Sequence, residues 1–139
     1  MSTSEVLDAF IALRRHVALM RADVASEIEF GHNQVAILYK LSLGRATMGA
    51  LADHTLSDKA SISRTVNLLE ASGLVKRVPD ENDRRVTHLE LTAKGRTQAQ
   101  KAVEIRKDIA KRLDSTLSAA ERKLLHELVN KVIENYKKR

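Results

Sequence analysis

Two short segments concentrate the side chains that could bind a charged partner. Residues 79–85 read PDENDRR, so that three acids precede the adjacent arginines Arg84 and Arg85. Residues 58–67 read DKASISRTVN, in which Lys59 and Arg64 stand among small polar side chains. Guanidinium and ammonium groups bind phosphates and carboxylates through charge-assisted hydrogen bonds. Both segments therefore predict recognition of an anion rather than bond-making chemistry.

Catalytic motifs are absent from the sequence, which has no nucleotide-binding loop, no nucleophile elbow and no paired catalytic carboxylates. The segment 126–130, HELVN, ends in Asn130 where a zinc-protease helix requires a second histidine. No cysteine is present, which excludes a disulfide framework and a thiolate metal site. The five histidines are scattered along the chain: His16, His32, His54, His88 and His126. We therefore predict no enzymatic activity, no metal and no cofactor.

Composition and charge favour a globular protein with a polyanionic partner. The chain has 139 residues, of which 43% are apolar and only 3% aromatic, so its core must consist of Leu, Val, Ile and Ala. The net charge is +6, distributed as −2 over residues 1–31, +3 over 32–98 and +5 over 99–139. No segment has the long apolar run of a membrane helix or the features of a signal peptide. We expect a cytoplasmic protein.

The order of predicted elements is helix, helix, short helix, helix, hairpin, helix, helix. Apolar spacing of three and four predicts a first helix over 5–28, a second over 33–43 and a short third helix capped by Thr47. The runs LVKRVP and VTHLELT predict a β-hairpin. Thr92 caps a helix predicted to end near Arg112, and SAAE at 118–121 is a capping box that opens the last helix.

The next helix, predicted to follow a cap at Asp58 or Ser57, has two different faces. Ile62, Val66 and Leu69 form one apolar stripe, and Gly73 stands where a helix ends in a left-handed residue. The opposite face is small and polar, with Ala60, Ser63, Arg64 and Asn67. A helix-turn-helix followed by a hairpin is the winged-helix arrangement. The predicted class is mainly α (α+β), with a β-hairpin wing and a helical region formed by the N- and C-terminal helices.

Four motifs, in order, resemble the multiple antibiotic resistance regulator (MarR) family of bacterial winged-helix transcription factors. They are LAD at 51–53, SRTVNLLEASGLVKR at 63–77, DENDRR at 80–85 and LTAKG at 91–95. The resemblance implies a DNA-binding regulator, more often a repressor, whose recognition helix enters the major groove. It also implies that a wing arginine enters the minor groove and that an acid of the motif orients a neighbouring arginine.

The resemblance gives a set of DNA-contacting residues. On the recognition helix these are Lys59, Ala60, Ser61, Ser63, Arg64 and Asn67, with Lys59 and Ser61 expected to contact the backbone. On the wing they are Lys76, Arg77, Asp83, Arg84 and Arg85. We expect Arg84 to make the tip contact and Asp83 to orient its neighbour. Arg85 is either a phosphate contact or a strut, and Lys76 and Arg77 either contact phosphate or are merely solvated.

The same resemblance implies a homodimer on a palindromic operator. It divides the chain into an N-terminal dimerisation helix (1–31), a winged helix-turn-helix domain (32–92) and C-terminal helices of the dimerisation region (93–139). It further implies release from DNA by a small lipophilic or aromatic anionic effector, for which Arg14, Arg15 and His16 are candidate partners. Two alternatives stay open: a winged-helix module that binds proteins without reading DNA, and a metal-responsive regulator.

Overall fold

The computed structural model describes residues 4–26, 31–55 and 57–137. Its elements, in chain order, are α1 (Glu5–Ser26), α2 (His32–Ser42), β1 (Ala46–Thr47), α3 (Met48–His54), α4 (Lys59–Ala71), β2 (Val75–Pro79), β3 (Thr87–Leu91), α5 (Ala93–Asp114) and α6 (Ala119–Lys137). The predicted order is confirmed. The expected end of the first helix, at Ile28, lies outside the described residues.

Local capping bonds begin the helices where the sequence predicted. The Thr47 hydroxyl accepts from the Ala50 amide at 3.2 Å, and the Asp58 carboxylate accepts from the Ser61 amide at 2.7 Å. The capping box of α6 is complete, because the Ser118 amide donates to the Glu121 carboxylate at 2.9 Å and the Glu121 amide donates back to the Ser118 hydroxyl at 3.2 Å. These bonds satisfy amides that a helix end leaves unpaired.

A small antiparallel sheet joins the hairpin to the segment before α3. Its strand order is β1-β3-β2, and the hairpin register pairs Val75 with Leu91 and Pro79 with Thr87. The link between α2 and α3 supplies the third strand, β1, which pairs Ala46 with Leu89. One side of β3 therefore pairs within the wing, and the other side anchors the wing to the segment that precedes α3.

Within the residues that the structure describes, the buried hydrophobic cluster consists of aliphatic side chains, as the low aromatic content predicted. α4 contributes Ile62, Val66 and Leu69, each at most 2% exposed. The rest of the buried cluster comes from Ile37, Leu38, Leu41, Ala46, Leu51, Leu74, Val75, Leu89, Leu91, Ala99 and Ala102. Burial of the apolar stripe on α4 orients its polar face outward.

The turn between α4 and β2 is tied to the start of α5. Gly73 adopts φ of 74°, a left-handed conformation that favours glycine at a helix end. The Thr92 amide donates to the Leu74 carbonyl at 3.0 Å. At Gly95 a Cβ atom would overlap that same carbonyl, so only glycine allows α5 to approach so closely. These contacts explain the LTAKG motif and fix the base of the wing.

The chain divides into two compact units, residues 1–106 and 107–139. In the first unit, α1 has six large apolar side chains between 37% and 58% exposed: Val6, Leu7, Phe10, Ile11, Leu13 and Leu19. In the second, α6 has six between 43% and 79% exposed: Leu124, Leu125, Leu128, Val132, Ile133 and Tyr136. No described helix is long and apolar enough to cross a membrane. The functional division at 31 and 92 stays a prediction.

Candidate nucleic-acid interface

The polar face of α4 lies on the surface of the molecule. Lys59, Ala60, Arg64 and Asn67 are exposed, while the two predicted serine contacts, Ser61 and Ser63, are half-buried. The side chains of Ala60, Ser61 and Ser63 are small, so the backbone of α4 can approach a partner closely. The structure thus brings all six predicted recognition-helix residues onto one helix, at its exposed or partly exposed positions.

The first turn of this helix is organised around Ser61. Its amide is the main hydrogen-bond donor that holds the pKa of the Asp58 carboxyl below its usual range. Its hydroxyl accepts from Arg64 Nη2 at 3.0 Å. Since a guanidinium carries five N–H groups, Arg64 keeps donors for an external partner while Ser61 orients it.

Arg77 connects the first strand of the wing to α4. Its Nε donates to Glu70 Oε2 at 3.2 Å, and its Nη2 donates to Asn67 Oδ1 at 3.0 Å. The sequence had left Arg77 open between phosphate contact and solvation; the structure places it against the recognition helix. Lys76, on the same strand, is paired across the hairpin with Glu90 at 4.0 Å and has 57% of its side chain exposed.

Asp80 builds the turn at the tip of the wing. One carboxylate oxygen accepts from the amides of Asn82 and Asp83 at 3.0 and 2.9 Å, and the other contacts His88 Nε2 at 2.8 Å. The His88 contact is the principal cause that lowers the pKa of Asp80, followed by the two amides. Such carboxylate-to-amide bonds two and three residues ahead shape a turn without any apolar burial. The turn at the tip of the wing is therefore held by hydrogen bonds of a polar side chain.

The two wing arginines differ in their partners. Asp83 Oδ1 accepts from the Arg85 amide at 3.0 Å and from Arg85 Nε at 3.2 Å, although 91% of the Arg85 side chain is exposed. Hydrogen bonds from the Arg85 side chain and amide also lower the pKa of Asp83. Within the described part of the chain, Arg84 is exposed and has no hydrogen bond or ion pair. The structure places the acid of the motif against Arg85, which leaves Arg84 free to reach outward.

A cavity of about 380 Å³ lies between the wing and α3. It is lined by Arg77 and Arg85 on the wing side and by Met48 and Gly49 at the start of α3, with Thr47, Val86, Thr87 and Leu89. Both arginines on its wall are paired with carboxylates outside the lining, Arg77 with Glu70 and Arg85 with Asp83. The cavity is continuous with the wing residues predicted to bind DNA.

Three residues that orient the site were not predicted from the sequence. Glu70 orients Arg77, and Asp80 and His88 hold the turn of the wing. Asp80 carried a signal, because an Asp at the start of a polar turn commonly caps the amides that follow it. Glu70 and His88 carried none, since their partners lie seven and eight residues away across a turn.

The predicted effector residues lie on the exposed side of α1. Arg14, Arg15 and His16 are all exposed, and His16 Nδ1 contacts the Ala12 carbonyl at 3.0 Å. They do not line the wing cavity. As to metals, the described residues contain no group of three His, Cys, Asp or Glu side chains placed to hold an ion.

The fold and the interface define a winged helix-turn-helix protein. Residues 31–86 match the model of the MarR family. The resemblance read from the four motifs is thereby confirmed, and the chain has the fold of MarR-family transcriptional regulators.

Solved structures share this fold over nearly the whole chain. The transcriptional regulator BldR from Sulfolobus solfataricus is 25% identical, with 94% of each chain covered and a TM-score of 0.76. NadR in complex with 4-hydroxyphenylacetate is 22% identical, with 95% of each chain covered and a TM-score of 0.79. BpsR of Bordetella bronchiseptica, whose DNA binding is regulated by 6-hydroxynicotinic acid, is 22% identical, with coverage of 95% and 94% and a TM-score of 0.73. Among curated protein sequences, none matches the chain significantly.

Proposed function

We propose that the chain is a sequence-specific DNA-binding transcriptional regulator without enzymatic activity. The observation that carries the proposal is the polar, basic face of α4 beside a wing with exposed arginines. A helix of this kind fits the major groove, where base edges present distinct donors and acceptors. Arginine is favoured in the adjacent minor groove, whose negative potential is enhanced where the groove is narrow. Two neighbouring grooves would thus be contacted by two elements of one chain.

The proposed roles follow from the geometry of each side chain. Arg64 and Asn67 read base edges together with Ser63, while Lys59 and Ser61 bind the backbone and Ala60 permits close approach. On the wing, Arg84 enters the minor groove because it is exposed and unpaired in the described structure. Arg85, which Asp83 orients, contacts phosphate beside the wing cavity, and Lys76 contacts phosphate from the strand.

The regulator acts as a homodimer on a palindromic operator. α1 and α6 each expose six large apolar side chains, and a second copy of the chain would cover them. A two-fold axis would present two copies of α4 about 34 Å apart, one turn of B-DNA. The dimer carries twice the charge of the +6 chain, so DNA binding should weaken steeply with salt.

The regulator is a repressor in the cytoplasm, released from DNA by a small aromatic anion. Two proteins that share the fold bind or respond to such compounds: 6-hydroxynicotinic acid regulates DNA binding by BpsR, and NadR has been solved in complex with 4-hydroxyphenylacetate. A ligand that binds a DNA-incompetent conformation more tightly shifts the population toward it. The candidate cationic partners are Arg14, Arg15 and His16, all on exposed positions of α1.

A fluorescence anisotropy titration tests DNA recognition. A labelled duplex from the intergenic region upstream of the protein's own gene is titrated with the protein, and a shuffled duplex of equal length and composition is the control. Specific binding to the natural duplex, weakened by Arg64→Ala, supports the proposal. Equal affinity for both duplexes, or binding unaffected by Arg64→Ala, rejects it. Retention of a protein partner with no DNA binding at low salt supports the protein-interaction alternative instead.

A further inference from the structure

Asn67 is held in a fixed amide orientation by the wing. Arg77 Nη2 lies 3.0 Å from Asn67 Oδ1, while Arg77 Nε and Glu70 Oε2 are 3.2 Å apart. Every N–H group of a guanidinium is a donor, so only the carbonyl oxygen of the amide can face it. The Nδ2 group, with its two hydrogens, must therefore lie on the other side of the amide. The usual ambiguity between the oxygen and nitrogen of an asparagine does not arise here.

The Arg77 guanidinium donates to two acceptors on α4, Asn67 and Glu70, which lie about one helical turn apart. Glu70 pairs with Nε and Asn67 with Nη2, which fixes the plane of the guanidinium relative to α4. Since the wing strand carries Arg77, the orientation of a recognition-helix side chain is set from outside that helix. Asn67 is itself exposed, so its amide hydrogens are available to a partner.

The orientation has a consequence for base recognition. An asparagine reads adenine by accepting from N6 with Oδ1 and donating to N7 with Nδ2, so it needs both ends of the amide. The Oδ1 atom has two lone pairs, and the Arg77 guanidinium takes one of them. Because Arg77 Nη2 lies 3.0 Å from Oδ1, its positive charge disfavours the approach of a second donor, such as the N6 amino group of adenine. What remains is a pair of donors, and guanine presents two acceptors, O6 and N7, on its major-groove edge.

We propose that Arg77 converts Asn67 into a donor-only reader that selects guanine over adenine at one position of each half-site. Arg77 is on this account a positioning residue that determines specificity without touching the base. The inference rests on the proposed DNA-binding function and adds the identity of the base and the residue that sets it.

Selection from a randomised duplex library tests this, with bound sequences counted for each variant. The position whose preference disappears in Asn67→Ala is the one that Asn67 reads. Wild type should select guanine there. Arg77→Ala frees Oδ1, so the ratio of guanine to adenine among the bound sequences should fall by about tenfold. This is the discrimination between bases that one good bidentate pair of hydrogen bonds provides. Arg77→Met, which keeps the aliphatic stem of the side chain, should give the same shift.

Lys76→Ala is the matched control, because it removes the same charge from the next residue of the strand but has no contact with Asn67 in the described structure. It should weaken binding and leave the base preference unchanged. Selection of adenine by wild type at the Asn67-dependent position, or an unchanged preference in both Arg77 variants, overturns the inference while the proposed function stands. Failure of the wild-type protein to select any sequence overturns both.

Discussion

The recognition helix and the wing tip are built by opposite means. α4 is positioned by burial, since Ile62, Val66 and Leu69 are at most 2% exposed. The wing tip buries no large apolar side chain; its turn depends on Asp80, and Asp83 holds Arg85. One region is fixed by non-directional apolar packing and the other by directional hydrogen bonds in contact with water.

This difference separates stability from function along the chain. Packing contributes most of the folding free energy, whereas exposed ion pairs contribute at most about 1 kcal/mol each. Substitutions of the buried side chains of α4 should therefore destabilise the protein, and substitutions in the wing tip should alter DNA binding while the fold remains. The following predictions test that separation, in order of decreasing effect.

The largest loss of stability is expected when a buried side chain of α4 is shortened. Leu69→Ala removes a side chain that is 2% exposed and leaves a cavity, which should lower the free energy of unfolding by about 3 kcal/mol. Urea denaturation measures the change. Leu68→Ala is the control, because this neighbour is 59% exposed and its loss should cost less than about 0.5 kcal/mol. Equal losses in the two variants would contradict the role given to burial.

The next largest effect is expected where the two regions meet. Gly95→Ala would drive a methyl group into the Leu74 carbonyl and should destabilise the protein by about 2 kcal/mol. At Gly49, in α3, a Cβ atom would meet only the Thr47 hydroxyl oxygen at an ordinary contact distance of 3.9 Å, so Gly49→Ala should stabilise the protein by about 0.5 kcal/mol. Thermal unfolding should show changes of opposite sign, and a shared sign would refute the explanation of the LTAKG motif.

At the wing tip the effect should fall on DNA binding alone. Arg84→Ala removes an arginine with no partner in the described residues, so the melting temperature should stay unchanged. Affinity for the natural duplex should fall about tenfold, and the slope of log affinity against log salt should become shallower by about one. Arg112→Ala, which removes the same charge from the second unit, is the control and should change affinity much less.

The smallest effect concerns the acid that shapes the wing turn. The pKa of Asp80 is lowered in the folded protein by His88 and by two amides, so its ionised form stabilises the fold. That contribution is present above the usual Asp range and is lost as the pH falls through the folded pKa, below about pH 4. Asp80→Asn lacks this ionisation, so the difference in stability from wild type should be larger at pH 6 than at pH 3.5.

Urea denaturation at the two pH values measures that difference. Glu81→Gln, the same change at the adjacent residue, is the control, because the described structure shows no bond to the Glu81 carboxylate. A difference between wild type and Asp80→Asn that does not change with pH would show that the carboxylate charge contributes nothing to the turn.

Features set by neighbours in sequence were predictable. The apolar stripe of α4, the caps Thr47 and Asp58 and the capping box of α6 all depend on residues within four positions of each other, and all were found as expected. The wing hairpin was equally clear, because two β-like runs, the second of them alternating, flank a polar turn.

Contacts between side chains on different secondary-structure elements could not be predicted from the sequence. The bond from Arg77 to Asn67 joins residues ten apart on a strand and a helix, and no periodicity relates them. The assignment of Asp83 to Arg85 rather than Arg84 depends on the backbone of the turn, which the motif DENDRR does not specify. The contacts that orient the predicted DNA-binding side chains are of this second kind.

Methylation interference on the natural duplex tests the central claim most directly, because dimethyl sulfate modifies guanine N7 in the major groove and adenine N3 in the minor groove. If α4 reads one groove and the wing the other, N7 methylation should block binding within each half-site and N3 methylation should block it in the flanks. The N3 pattern alone should disappear with Arg84→Ala. Interference confined to a single groove, or an N3 pattern that persists in Arg84→Ala, would contradict the account.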